Sequence, residues 1–307
     1  MSKKAMVTND NFDSIGTSAK PLLNVFATNL YGDVKNADGT DKYTPANSAE
    51  GAAAKEVGNI LSTVGLSHNA IYRGKNLGTF TSVAAFEAFL TAHEVSSGKF
   101  TDLYLGDYFT IQDGTYNKEW EIAGFDHYLH KGDTDFATHH LVLIPKTNLF
   151  TAGMNDSNTT ANGYAGSKMH TTHIPTINTK LATVLGNHLL TRRELLTTSM
   201  STSLASMAGA GQTGASNNWA WSDVKAVLPN EVEIYGCTAL SSSFYDVGIG
   251  CEKLPLFNFK GHSHARENYW LRAVSTSTNF CHADGSGYAG DNNASNAAGV
   301  RPLICVG

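Results

Sequence analysis

Charge is scarce in this chain: Asp, Glu, Lys and Arg make up 16% of its 307 residues, and the net charge is −5. Its Lys and Arg residues are dispersed, so no basic stripe is available to neutralise a phosphate backbone, and nucleic acid is not expected as a partner. Long apolar runs are missing too. None reaches the roughly 18 residues of a membrane span, and the opening MSKKAMVTNDNF lacks the apolar core of a signal peptide. Synthesis and folding in a cytoplasm are the expectation. The four cysteines, Cys237, Cys251, Cys281 and Cys305, show no CxxC spacing for a metal or redox site. Without an export route, buried free thiols are expected over a disulfide. No Gly-x-Ser-x-Gly elbow, P-loop or post-strand glycine fingerprint is present, and no enzymatic activity is expected.

What fills the chain instead is glycine, 29 residues of it, with many Asn, Ser and Thr. Such an uncharged polar surface suits extracellular or particle-borne proteins. The length allows one substantial core with a smaller appended module. Residues 1 to about 45 read as an extended arm with one apolar patch, Pro21 to Phe26. Ala53, Val57, Ile60, Leu61 and Val64 follow helical spacing between Asn47 and Gly65, and Val83, Phe86, Phe89 and Leu90 predict a second helix over Ser82–His93. From Lys99 the texture changes to strand-like segments: Thr101–Gln112, Glu119–Phe125 with a hairpin turn at Asp113-Gly114, and a buried run Leu141–Ile144. Helical spacing returns around Ile177–Leu185, and is read again over Arg192–Thr198 and Ser222–Leu228. Ser199–Asn218, rich in Ser, Ala, Gly and Thr, reads as a long loop. Short apolar pieces then close the chain, among them Tyr269–Val274 and Val300–Ile304. Strands, then helices, then strands without βαβ alternation predict an α+β fold.

His127, His130, His139 and His140 cluster among Asp126, Asp133 and Asp135. If Phe125–His130 is a strand, alternation divides these groups between two faces, so hydrogen-bonded structural histidines are expected and no metal site is assigned. His262 and His264 lack a third ligand.

Several segments follow one another in a specific order after Lys99: Gly106-Asp107-Tyr108, Ile122–Tyr128, Gly132-Asp133-Thr134, His139–Val142, Met154-Asn155, Gly163-Tyr164, Arg193-Glu194, Tyr235-Gly236-Cys237, Pro255-Leu256-Phe257, Trp270-Leu271-Arg272 and Gly299-Val300-Arg301-Pro302. Together they resemble a family of domains in structural proteins of phages that infect Gram-positive bacteria. The closing Trp-Leu-Arg and Gly-Val-Arg-Pro are similar to the end of C-type-lectin-like and formylglycine-generating-enzyme-like domains, in which a Trp and an Arg help close the core beneath a variable loop. The resemblance implies a C-type-lectin-like domain over 99–307, with short twisted sheets and flanking helices, preceded by an attachment and oligomerisation region over 1–98. It implies a virion surface protein: a head fibre or decoration, a tail or baseplate receptor-binding part, or a decoration without a ligand. Other virion proteins, further copies of the chain, with a trimer among the assemblies, and a host-surface glycan are the implied partners. Trp270, Arg272 and Arg301 are expected to hold the core, a planar guanidinium between carbonyls and aromatic faces being able to lock two strands.

The segment 284–296 lies between those closing strands, where lectin-like domains display their ligand loop. Asp284, Asp291, Asn292, Asn293 and Asn296 offer oxygen ligands for Ca²⁺ or hydrogen bonds to sugar hydroxyls, and Tyr288 offers a stacking face. A plain turn built of good turn formers is the alternative for the same residues.

Overall fold

The structure, a computed structural model, describes residues 68–207, 213–247, 252–261 and 266–307. The arm over 1–45, the helix expected over 47–64, Cys251, His262 and His264 lie outside the described residues.

Strand β1 (Asn76–Phe80) runs directly into helix α1 (Val83–Ala92), because Ser82 sits in extended backbone and accepts the Ala85 amide as N-cap. Phe86, Phe89 and Leu90 of α1 are buried, the expected apolar stripe. Strands β2 (Tyr108–Ile111), β3 (Lys118–Phe125), β4 (Leu141–Pro145) and β5 (Thr151–Ala152) come after it. Helix α2 (Ile174–Leu185) turns Ile174, Ile177, Leu181, Val184 and Leu185 inward and stops at Gly186. That glycine has φ +55°, and a side chain there would stand 2.8 Å from Val83 of α1, so the end of α2 and the start of α1 pack through a missing Cβ. Next come β6 (Arg192–Ala205), β7 (Thr213–Val224), β8 (Ala226–Val227) and the short helices α3 (Glu231–Tyr235) and α4 (Leu256–Phe259). The chain ends with β9 (Tyr269–Val274), β10 (Asn279–Ala283), β11 (Ala289–Asn293), β12 (Ala298–Gly299) and β13 (Leu303–Val306).

These strands form a six-stranded sheet in the order β1-β2-β3-β4-β13-β8, a five-stranded sheet β11-β10-β9-β12-β5 and the two-stranded ribbon β6-β7. The fold is α+β. Strand β13 is inserted between β4 and β8 and antiparallel to both, so this sheet is complete only when residues 303–306 are in place. One apolar cluster joins α1 and α2 to both large sheets through Phe86, Phe109, Trp120, Ile177, Trp270 and Phe280. Because β1 pairs with β2 and α1 belongs to this cluster, the division expected at residues 98/99 falls inside a packed core.

Several local expectations change, and the strand expected over Thr101–Gln112 is confined to Tyr108–Ile111. Arg192–Thr198 and Ser222–Leu228, read as helices, are strand: Arg192 pairs with Val224 and Leu196 with Ala220. The stretch Ser199–Asn218, read as a loop, continues the same ribbon on both sides of residues 208–212. Its Thr residues favour extended backbone, and its small residues conceal the alternation that identifies a strand. β3 stops at Phe125, so 126–130 is a turn and the facial division of its histidines does not apply. The Asp113-Gly114 connection is longer than a two-residue hairpin. The Asp113 carboxylate accepts the amides of Thr115, Tyr116 and Asn117 and builds a side-chain-capped loop.

Buried polar groups tie these elements together. Arg272 is 2% exposed and donates to Glu194 at 2.8 Å, Glu233 at 2.9 Å and the Leu228 carbonyl at 3.0 Å. Glu194 also pairs with Arg192, whose guanidinium lies 3.8 Å from the centre of the Tyr128 ring, and the Tyr128 hydroxyl donates to Glu233 at 2.6 Å. Burial pushes the Glu233 carboxyl up, but Arg272, Arg192 and the Tyr128 hydroxyl outweigh it and leave the group below its ordinary value. Two cations thus face two anions inside the protein. A second clamp is the fully buried Asp107, which takes Arg73 in a two-pronged contact at 3.0 and 2.7 Å and accepts the Lys75 and Tyr104 amides at 2.9 Å.

His140 is fully buried; its Nε2 accepts the Tyr128 amide at 3.2 Å, so its Nδ1 carries the proton and donates to the Thr138 carbonyl at 2.8 Å. This arrangement fits the neutral ring only. Burial pushes His140 down to about 4 and His127 down to about 3. The unfolded chain takes up these protons near pH 6.5 and the folded chain does not, so stability present above pH 6.5 is lost as pH falls toward 4. Each histidine contributes a slope of about 1.4 kcal/mol per pH unit. Thermal unfolding monitored from pH 7 to 4.5 should show the midpoint falling across this interval, whereas a flat midpoint would contradict neutral burial of both rings.

Candidate binding surface

The segment 284–296 comprises the tip of a β-hairpin, its second strand and the turn beyond that strand. β10 and β11 pair in continuous register from Asn279↔Asn293 to Ala283↔Ala289. This pairing is made possible by Gly290, which lies opposite His282; a Cβ at Gly290 would stand 2.6 Å from the imidazole. The six residues expected to share a binding loop are therefore divided. Asp284 and Tyr288 lie at the hairpin tip, while Asn293 and Asn296 lie at the far end, about 14–17 Å away at ~3.4 Å per residue.

The tip is a tight turn in which the Asp284 carboxylate accepts the Ser286 amide at 2.6 Å; that bond, ahead of the nearby His282, holds its pKa below the ordinary value. Tyr288 is 61% exposed, and its carbonyl accepts the Tyr235 hydroxyl at 2.9 Å, which anchors the tip to α3. Asp291 is already engaged: its Oδ2 accepts Ser275 Oγ at 2.8 Å and Asn279 Nδ2 at 3.2 Å. Asn292 accepts the Asn293 amide at 2.9 Å and Asn296 Nδ2 at 2.7 Å. Donors thus occupy oxygens that a cation would need. Among the described residues no group of three or more His, Cys, Asp or Glu side chains is arranged to hold a metal ion.

The far end of the hairpin adjoins a second polar feature. Asn155 donates its amide to the Ala294 carbonyl at 2.9 Å, and Asn158 accepts from Ser295. Beside them opens a cleft of about 310 Å³ lined by Asn155, Asp156, Ser157, Thr159, Asn162, Lys168 and Thr171. Lys168 and Asp156 pair at 2.5 Å within it, so its net charge is balanced.

Trp270, Arg272 and Arg301 are buried. Trp270 donates to the Ala152 carbonyl at 2.8 Å; Arg301 donates to the Pro145 carbonyl at 2.7 Å and lies 4.9 Å from the centre of the Tyr269 ring. Cys281 and Cys305 are buried free thiols and Cys237 is an exposed one. Burial drives the Cys281 thiol well up, and Cys305 up to about 12, so neither supplies a thiolate at neutral pH. The histidines near 127–140 act within the fold: His139 bonds Asp126 at 2.7 Å and His130 bonds Asp135 at 2.8 Å.

Two surface residues were not singled out by the sequence, Phe244 and Tyr245, which are 69% and 57% exposed. The available signal was an aromatic pair directly after three serines, with no apolar periodicity to draw it inward. Comparison with protein-family models, curated proteins and solved structures returns no match.

Replacing Asp291 with Ala strands the Ser275 hydroxyl and the Asn279 amide and should lower stability by about 1–2 kcal/mol in urea denaturation. Tyr288→Ala, which removes an exposed ring and keeps the carbonyl that accepts the Tyr235 hydroxyl, should leave the midpoint in place. Equal losses at both positions would contradict the contrast between the engaged Asp291 and the open Tyr288 ring.

Proposed function

We propose that the chain is a virion surface protein of a bacteriophage, in which a C-type-lectin-like body is displayed for adhesion to host-surface carbohydrate. The region over 1–98, whose β1 and α1 also pack into the body, would attach it to other virion proteins and bring copies of the chain together. One observation carries this reading. The segments of the phage-protein resemblance coincide with the clamps of the fold: Asp107 holds Arg73, Asp133 takes Arg193 in a bidentate pair at 2.8 Å, and Arg272 joins Glu194 to Glu233. A likeness located in such positions supports a shared fold. The buried Trp270 and Arg301 in the closing segments support the lectin-like part, since a Trp and an Arg that close the core are what the resemblance implies. The sparsely charged, Asn- and Ser-rich composition supports exposure on a particle.

A decoration protein without a ligand is the second reading, favoured by Asp291 and Asn292 having their oxygens engaged within the hairpin. Head and tail placements differ in copy number. Peptide mass analysis of purified particles, with antibody labelling against the body, is expected to find the chain on the particle surface, in hundreds of copies for a head protein and in few for a tail part. A chain missing from purified particles overturns the proposal.

A further inference from the structure

Phe244 and Tyr245 expose most of two successive aromatic side chains, yet the turn that carries them is firmly held. Both sit in the 3-10 turn Phe244–Val247, whose Asp246 is 2% exposed. Its Oδ1 accepts Thr197 Oγ1 at 2.6 Å and Trp219 Nε1 at 2.9 Å; its Oδ2 accepts Ser216 Oγ at 2.7 Å and the Val274 amide at 3.2 Å. One carboxylate thus ties β6, β7 and β9 to the turn. The Trp219 ring is brought to 5.0 Å from that of Tyr245, inclined at 46°. Rings fixed in this way lose little freedom when a ligand arrives.

The segments that carry these rings are uncharged. Residues 195–207, 213–222 and 234–245 contain no charged side chain. Asp246 itself is buried and surrounded by donors, so it offers no charge to a ligand. Asn217 and Asn218 are exposed beside Trp219; the Oδ1 of Asn217 accepts Ser199 Oγ at 2.7 Å and that of Asn218 accepts the Trp219 amide at 3.0 Å. Their NH₂ groups remain as donors. Aromatic faces for C–H groups, with uncharged donors for hydroxyls, match a neutral sugar. An anionic or cationic ligand would find no counter-charge on these segments.

We propose that the Trp219 and Tyr245 rings, next to the exposed Phe244 of the same turn, form a contact surface for a neutral carbohydrate, with the exposed Asn217 of β7 as a hydrogen-bond donor. The proposal rests on the adhesion reading and moves the contact surface from the 284–288 tip to the β6–β7 ribbon.

The test is binding of the full chain to cell-wall sacculi of the host strain, native and after periodate oxidation, which cleaves the vicinal diols of sugars. The unaltered chain is expected to bind native sacculi and to lose binding after oxidation. Phe244→Ala and Tyr245→Ala should each weaken binding about tenfold. Both sites are exposed, and an unchanged melting temperature establishes that the variants fold. Variants that bind as well as the unaltered chain overturn this contact surface and leave adhesion standing. An unaltered chain that does not bind overturns both. Variants that change only self-association in sedimentation also overturn it, making the patch an interface between copies.

Discussion

The interaction on which the body depends is the buried pairing of Arg192 and Arg272 with Glu194 and Glu233. Taking a charge out of water costs several kcal/mol, and only close, well-hydrogen-bonded opposite charges offset it. Here the four groups come from β6, β9 and α3, with Tyr128 of the turn after β3 closing one end. Each charge is tolerable only when the other elements are in place. Apolar burial can be satisfied by many packings, whereas this arrangement needs these residues at these positions. It therefore fixes the ribbon against β9, α3 and the turn after β3.

The same constraint explains what could be read from the sequence. Helix α1 with its Ser82 cap, helix α2 with its Gly186 stop, and the strands Leu141–Ile144 and Tyr269–Val274 were legible because their apolar periodicity and their end signals agree. The ribbon was not. Arg192 and Glu194 point into the core, so the charged residues of β6 appear where a strand pattern has apolar ones, and Leu195 with Leu196 imitates a helical stripe. What places two charges inside is the presence of Arg272 and Glu233, 78 and 39 residues from their partners Glu194 and Arg272. No local window contains that information.

The candidate site divided in the same way. Acidic and amide side chains in 284–296 were recognisable as ligand-bearing types, but their partners Ser275 and Asn279 become visible only when β10 and β11 pair. Conversely, the only local sign that Phe244 and Tyr245 are exposed is their place after three serines without apolar periodicity. Their exposure comes from Asp246, whose carboxylate turns inward to collect donors from three strands and leaves the preceding rings outside. Motif-bearing residues in this protein hold the fold, and the exposed aromatic pair Phe244 and Tyr245 lies between the motifs.

The buried charges act as one unit, and a double-mutant cycle on Arg272→Met and Glu194→Gln measures this most directly. In urea denaturation each single change should cost about 3–5 kcal/mol, because its partners are left buried and unpaired. The double variant should lose less than the sum by at least about 1 kcal/mol. Single losses near zero, or strictly additive losses, would contradict a network on which the fold depends.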